Sequence, residues 1–220
     1  KSKNHEFVGV LCDGMGGHLA GEVASTLVSR YVIEHFFDHS PFLDDESIHA
    51  WISSLLLTAN DLVNKESDMH SEYAGMGTTI VICYMDGKNT YISHVGDSRA
   101  YLYKDTLKQI TADDTFVNEL VKRGLINAEE ASHHPKRNVL VQAIGIKEAL
   151  RISFYKIEED YRAILLCSDG LYNSLSSQQI EEILQKNASV DQKTECLIQS
   201  ANEFGGLDNI GVLLIEKGEA

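Results

Sequence analysis

The chain reads FVGVLCDGMGG over residues 7–17, an apolar run that stops abruptly at Asp13-Gly14. The same pattern returns as AILLCSDGL over residues 163–171, where the acid after the apolar run is Asp169. Short apolar runs bounded by turn residues are typical of buried strands. Taken alone, an Asp-Gly pair after a strand is most often a simple turn.

A third acid stands beside a third apolar run. Asp208-Asn209 lies just ahead of residues 210–215, which read IGVLLI. If the three runs are neighbouring core strands, the carboxylates of Asp13, Asp169 and Asp208 converge at one end of the fold. Converging carboxylates repel one another unless a cation neutralises them. The spacing alone supports a metal site and three separate turns about equally.

Composition narrows the class of protein. A length of 220 residues with 43% hydrophobic content fits one packed domain. With 33 acidic residues against 19 basic ones, the formal net charge of -14 argues against nucleic acid as a partner. No apolar stretch reaches the roughly 20 residues that a membrane span needs, so we expect no membrane segment.

The cysteines indicate a reducing compartment. Cys12, Cys83 and Cys167 lie inside apolar runs, and together with Cys196 they show none of the spacings of zinc ribbons or redox dithiols. Buried free thiols of this kind are typical of proteins in a reducing cytoplasm. We therefore expect a cytoplasmic protein.

Helical and strand-like periods occur in blocks along the chain. Residues 20–37 and 48–63 carry apolar positions at helical spacing and predict two helices that face the core. Residues 78–85, 90–95 and 99–103 are β-branched or alternating, and they predict a three-stranded antiparallel meander.

The second half of the chain begins with a polar segment. Two short helices are predicted, one over residues 115–122 and one capped by Asn127. The segment 118–138 is the least core-like part of the chain, and we expect it to be a mobile flap. Strands and helices then follow at residues 139–143, 151–157, 161–167, 176–186, 192–204 and 210–215. Hairpin runs with helices gathered in pairs predict an α+β fold of two mainly antiparallel sheets flanked by helix pairs.

Familiar catalytic motifs of other enzymes do not match. Neither Cys12 nor Cys167 is followed by the arginine of the Cys-x5-Arg motif of cysteine phosphatases. His35 and His39 have zinc-ligand spacing, but they lack the glutamate that a zinc protease places beside its first histidine. What remains is oxygen ligation by carboxylates, the ligand type that suits magnesium and manganese.

Paired divalent ions would explain three converging acids. Two such ions about 3.5–4 Å apart can hold a bridging water, lower its pKa from about 15.7 towards about 7, and clamp both oxygens of a phosphoryl displacement. Phosphate monoesters are among the slowest bonds to hydrolyse in water. A site that attacks them therefore needs such a concentration of charge.

Five ordered motifs resemble the metal-dependent serine/threonine protein phosphatases of type 2C, the PPM family, in their compact bacterial form. The motifs are Asp13-Gly14-Met15-Gly16-Gly17-His18, Gly75-Met76-Gly77-Thr78-Thr79, Gly96-Asp97-Ser98-Arg99, Ser168-Asp169-Gly170 and Asp208-Asn209. Each motif alone is weak, whereas all five in this order span nearly the whole chain. The resemblance implies an αββα sandwich with a binuclear Mg²⁺ or Mn²⁺ centre at one end.

The resemblance also implies roles for single residues. Asp13 would bridge the two ions, and the backbone carbonyl of Gly14 would bind one of them. Asp169 and Asp208 would complete the ligand set. Asp113 would help to hold a third, weaker ion, with Asp169 shared.

Two features of the family are not matched. Upstream of the position of Asp13, members carry an arginine that holds the substrate phosphate and an Asn-x-Asp cluster, neither of which Asn4-His5-Glu6 supplies. We therefore expect residues upstream, including an N-terminal strand, to be missing. The histidine that eukaryotic relatives use as general acid is also unmatched, which leaves the proton donor unassigned. His18 is a weak candidate for that role.

The sequence thus predicts a single phosphatase domain over residues 1–220, with the flap at 118–138. It would hydrolyse phosphoserine and phosphothreonine on proteins by a metal-activated water, without a covalent intermediate. Its partners would be phosphorylated proteins and a serine/threonine kinase system, and it would act as a monomer. Two alternatives stay open: a phosphatase of anti-sigma-factor antagonists from the same superfamily, and a catalytically silent interaction domain with the same fold.

Overall fold

A computed structural model of the protein describes residues 1–206 and 208–218, apart from the side chain of His18. The strands found there are β1 Ser2–Lys3, β2 Glu6–Leu11, β3 Gly14–Met15, β4 Gly77–Thr78, β5 Ile80–Met85, β6 Thr90–Val95, β7 Arg99–Tyr103, β8 Leu107–Gln109, β9 Ser153–Ile157, β10 Ala163–Cys167 and β11 Val212–Glu216. The helices are α1 His18–His35, α2 Asp45–Met69, α3 Phe116–Lys122, α4 Ala128–Ser132, α5 Asp169–Tyr172, α6 Ser177–Leu184 and α7 Val190–Glu203. None of these helices is long and apolar enough to cross a membrane.

The longer strands form two antiparallel sheets. The first has the order β1-β2-β5-β6-β9, and the second has the order β11-β10-β7-β8. Strands β3 and β4 form a small ladder of their own, in which Gly14 pairs with Thr78. The predicted α+β class with two mainly antiparallel sheets is therefore confirmed.

Three apolar layers hold the sheets and helices together. Helices α1 and α2 cover the first sheet, where Val28 and Ile52 pack with Tyr84. Helices α6 and α7 cover the second sheet around Leu165. Because successive side chains of a strand point to opposite faces, Ile164 points instead into the layer between the two sheets. This gives the predicted αββα sandwich.

The predicted three-stranded meander is wrong in its third strand. Strands β5 and β6 pair as expected, but β7 pairs with β10 and β8 in the second sheet. Gly96 makes the crossing possible, because it has a φ of 106° and a Cβ at this position would lie 2.7 Å from the Thr79 side chain. Alternating apolar residues mark a strand without saying which strand it pairs with, so the sequence pattern missed the crossing.

The predicted strand over residues 139–143 is also absent from the described structure. Only two isolated bridges form there, Thr115 with Leu140 and Thr78 with Ile144. The other predicted helices and strands of the second half are found within a few residues of their expected positions. The short strand β8 and the short helix α5 were not predicted.

Candidate metal centre

The three predicted acids lie at strand ends, but the strands belong to different sheets. Asp169 follows β10 and Asp208 precedes the neighbouring strand β11, whereas Asp13 follows β2 of the first sheet. Strands β10 and β11 are neighbours in one sheet, whereas β2 belongs to the other. Strand β2 reaches β11 across the sandwich, where a Cβ placed on Gly211 would lie 3.3 Å from Leu11.

Two threonines and a serine fix the backbone at Asp13. Its N–H donates to Thr79 Oγ1 at 3.1 Å, and its carbonyl accepts from the Thr78 hydroxyl at 2.9 Å and from the Thr79 N–H at 2.8 Å. Thr79 Oγ1 in turn lies 2.7 Å from the Ser98 hydroxyl. The Gly-Thr-Thr and Gly-Asp-Ser motifs of the sequence therefore anchor Asp13, which follows β2.

Gly14 brings the start of helix α1 against the same loop. A Cβ on Gly14 would lie 2.0 Å from the Gly21 carbonyl oxygen, so a larger residue would push the helix away. The loop at Gly14 is therefore held between α1 and β4. Its predicted role as a carbonyl ligand stays a prediction.

The second and third acids are joined through their neighbours. Buried Ser168 accepts a hydrogen bond from the Gly211 N–H at 2.8 Å and donates one to the Asn209 carbonyl at 3.1 Å. A Cβ on Gly170 would lie only 2.3 Å from the Asn209 carbonyl oxygen. The Ser-Asp-Gly motif thus packs directly on Asp208-Asn209.

The three acids lie near enough for their negative charges to act on one another. Burial, reinforced by Asp169 and Asp208, raises the pKa of Asp13 to about 7. Burial and the Asp208 carboxylate also raise the pKa of Asp169. These are the conditions under which a cation is bound in preference to protons.

Asp97 is a fourth acid of this region, and the sequence indicated nothing for it beyond its place in the Gly96-Asp97-Ser98-Arg99 motif. Burial, then the charges of Asp169, Asp113 and Asp13, raise its pKa to about 7. Its presence inside one of the five motifs was the available signal. Asp97 therefore lies within reach of the charges of Asp13, Asp113 and Asp169.

Asp113 lies in the same region but has a protein partner. The Arg99 guanidinium grips its carboxylate with Nε 2.9 Å from Oδ1 and Nη2 2.7 Å from Oδ2. Gln109 Nε2 donates to Oδ1 at 3.1 Å. Sequence reasoning did not find this pair.

A cleft of about 740 Å³ opens beside these acids. Asp97, Asp113 and Asp169 line one wall of it, and α3 and α4 line the other through Val117 and Ala131. Residues of the segment predicted as a flap, Ala131 among them, therefore line this cleft.

The donor set suits hydrated hard cations better than a closed cage. Within residues 1–206 and 208–218, no three carboxylate, imidazole or thiol groups gather tightly enough to cage one ion. The charges of Asp169 and Asp208 act on Asp13 in addition to its burial, and Mg²⁺ usually keeps several waters and takes only one or two carboxylates. The side chain of His18, the weak candidate for general acid, lies outside what the structure describes.

Known proteins with similar sequences and folds carry one family description. The protein phosphatase 2C family matches residues 1–202. The serine/threonine phosphatase Stp of Listeria welshimeri is 35% identical over 219 residues, which cover 99% of this chain and 87% of the relative.

Two solved structures make the same point. The Streptococcus agalactiae serine/threonine phosphatase matches with a TM-score of 0.87 and 32% identity over 99% of this chain and 95% of that one. The catalytic domain of the serine/threonine protein phosphatase PstP was solved with two manganese ions and matches with a TM-score of 0.78 and 35% identity, over 97% of this chain and 91% of that one. The predicted resemblance is thereby confirmed, and the chain belongs to the protein phosphatase 2C family.

Proposed function

We propose that this protein is a serine/threonine protein phosphatase whose catalytic ions are held by Asp13, Asp169 and Asp208. The observation that supports the proposal is the placement of these three acids, from both sheets, where the charges of Asp169 and Asp208 act together on Asp13. The names of the relatives, which match nearly the whole chain, give the reaction class. Neither an anti-sigma-factor-antagonist phosphatase nor a silent interaction domain is favoured, because these relatives are named serine/threonine phosphatases.

The reaction is hydrolysis of a phosphate monoester. Water attacks phosphorus, the bond from phosphorus to the serine or threonine oxygen breaks, and that oxygen takes up a proton as inorganic phosphate forms. Divalent ions supply the charge that activates water and offsets the phosphoryl oxygens. The chain contributes the carboxylates, their fixed backbones at Thr79 and Ser168, and a cleft that admits a phosphorylated loop.

Mg²⁺ or Mn²⁺ fits these oxygen donors. We assign two ions to Asp13, the Gly14 carbonyl, Asp169 and Asp208, in line with the two manganese ions of the PstP structure. A third, weaker ion would use Asp113 together with Asp169.

The setting follows from the substrate. Phosphorylated proteins require a serine/threonine kinase system to produce them, and the four free cysteines support action in the cytoplasm. We propose a monomeric enzyme with one catalytic domain and a flap at residues 118–138, supported by the wall that α3 and α4 contribute to the cleft.

Hydrolysis of an aryl phosphate and of phosphothreonine peptides, each with and without Mn²⁺, tests the proposal. Turnover should require the ion and should saturate with its concentration. A phosphotyrosine peptide of matched sequence is the control, and it should be hydrolysed more slowly than its phosphothreonine counterpart. Metal-independent turnover, or no turnover with Mn²⁺ bound, would contradict the proposed function.

A further inference from the structure

Arg99 occupies both carboxylate oxygens of Asp113. In addition to its two short contacts, its Nε lies 3.2 Å from Oδ2. Asn118 Nδ2 donates to the Asp113 backbone carbonyl at 2.6 Å, which fixes the residue from the other side. A cation that approaches Asp113 therefore meets a carboxylate whose oxygens already accept strong hydrogen bonds.

The guanidinium is itself held in place. It stacks on Tyr172, with its central carbon 3.5 Å from the ring centroid, and its Nη1 donates to the Tyr101 hydroxyl at 3.0 Å. Tyr172 also donates from its hydroxyl to the Asp97 carbonyl at 3.1 Å. The Arg99 side chain is only 23% exposed. Because the guanidinium both stacks on a ring and pairs with two carboxylate oxygens, a lysine at this position could not make the same contacts.

We propose that Arg99 is a positioning residue that competes with a divalent ion for Asp113. The weakest ion of the proposed centre then binds only when the guanidinium has released that carboxylate. This inference rests on the proposed metal centre and adds a control on its occupancy. If the Asp113 carboxylate is free of Arg99 for only a small fraction of the time, its apparent affinity for the ion is reduced by that fraction.

Two substitutions of Arg99 distinguish the effect of its bidentate hydrogen bonding from the effect of its positive charge. Arg99→Lys keeps the positive charge but cannot grip both oxygens, whereas Arg99→Gln removes the charge as well. Manganese binding to the full chain is measured by electron paramagnetic resonance of the free ion. We expect the weakest site to tighten about tenfold in Arg99→Lys, with the tighter sites unchanged. Arg162→Lys, an exposed arginine 3.6 Å from Asp105, is the matched control and should bind like the wild type.

Three results would overturn the inference. An unchanged or weaker last site in Arg99→Lys would show that the fork does not compete with the ion. Tightening of every site in Arg99→Gln, with Arg99→Lys like the wild type, would mean that Arg99 acts only through its charge. A wild-type chain that binds no divalent ion would overturn the proposed centre and this inference with it, whereas the first two results leave the centre intact.

The wild-type chain provides a measurement that does not depend on whether the variants fold. The Arg99 Nε–H signal is followed by nuclear magnetic resonance during a titration with Mg²⁺. It should stay in place while the tight sites fill and move only when the last site fills, because the guanidinium leaves Asp113 at that stage. A signal that remains unchanged to saturation would contradict release.

Discussion

Asp113 and Asp13 lie in one region of the molecule but differ in how their charges are compensated. Asp113 faces the Arg99 fork, so its charge is balanced by the protein itself. Asp13 forms no ion pair with any Lys or Arg in the described parts of the chain, and burial together with Asp169 raises its pKa to about 7. A buried charge is costly unless something pairs with it. We therefore expect external ions to bind first at Asp13 and last at Asp113.

The largest expected effect comes from removing the charge of Asp169, which lies beside Asp13 rather than in an arginine pair. Asp169→Asn keeps the shape of the side chain but loses the charge that holds an ion. Its kcat/KM on a phosphothreonine peptide should fall by more than the roughly 100-fold that losing an outer hydrogen-bond partner costs at a metal site. In the presence of a chelator, the free energy of unfolding of this variant should equal or exceed that of the wild type, because the repulsion between Asp169 and Asp208 has been removed.

A matched acid elsewhere provides the control for this variant. Asp191 is exposed in the first turn of α7, and Asp191→Asn should leave turnover unchanged. Full activity of Asp169→Asn would remove this residue from the site and break the comparison with Asp113.

A smaller loss of activity is expected when the close contact between the backbones at Gly170 and Asn209 is disturbed. In Gly170→Ala the new methyl group would lie 2.3 Å from the Asn209 carbonyl oxygen. The free energy of unfolding should fall by about 1–3 kcal/mol, as for other overpacked sites, and kcat should fall because Asp169 and Asp208 move apart. Urea denaturation and peptide turnover measure the two effects. Gly218→Ala, with no atom of the described residues within 4 Å, is the control, and equal stability of the two variants would contradict the close packing.

The pH dependence of stability should differ with and without metal. The pKa of Asp13 and that of Asp97 rise from 3.8 to about 7 in the folded chain, chiefly through burial. Both groups then bind protons more tightly when folded, so their contribution to stability is complete below about pH 4 and is lost as the pH rises to about 7. Saturating Mg²⁺ should reduce this loss, because the ion replaces the protons.

Urea midpoints between pH 4 and pH 8, with a chelator and with Mg²⁺, check that expectation. The chelated protein should lose stability across this range more steeply than the Mg²⁺-loaded protein. Parallel profiles would mean that the ion does not bind at these carboxylates.

Local patterns in the sequence were enough for most helices and strands. The helix cap at Asn127 formed as expected, because it depends on residues three positions apart. The acids at the strand ends were also found from the sequence, because Asp-Gly and Asp-Asn interrupt apolar runs.

Relations across the fold were not accessible in the same way. The sheet that β7 joins is decided by packing between layers, and strand periodicity is the same in either sheet. The Arg99–Asp113 pair spans fourteen positions of the chain and depends on the path of the chain through β7 and β8. The charge on Asp97 gains its meaning only from neighbours that tertiary structure brings near. These tertiary contacts decide that Asp113 is paired with an arginine whereas Asp97 lies among other acids.

Titration calorimetry of the full chain with Mn²⁺ tests the central claim most directly. The wild type should bind at least two ions, and Asp169→Asn should lose at least one of them while its circular dichroism spectrum stays unchanged. Absence of binding to the wild type, or an Asp169→Asn variant that binds as many ions with the same affinity, would contradict a metal centre at Asp13, Asp169 and Asp208.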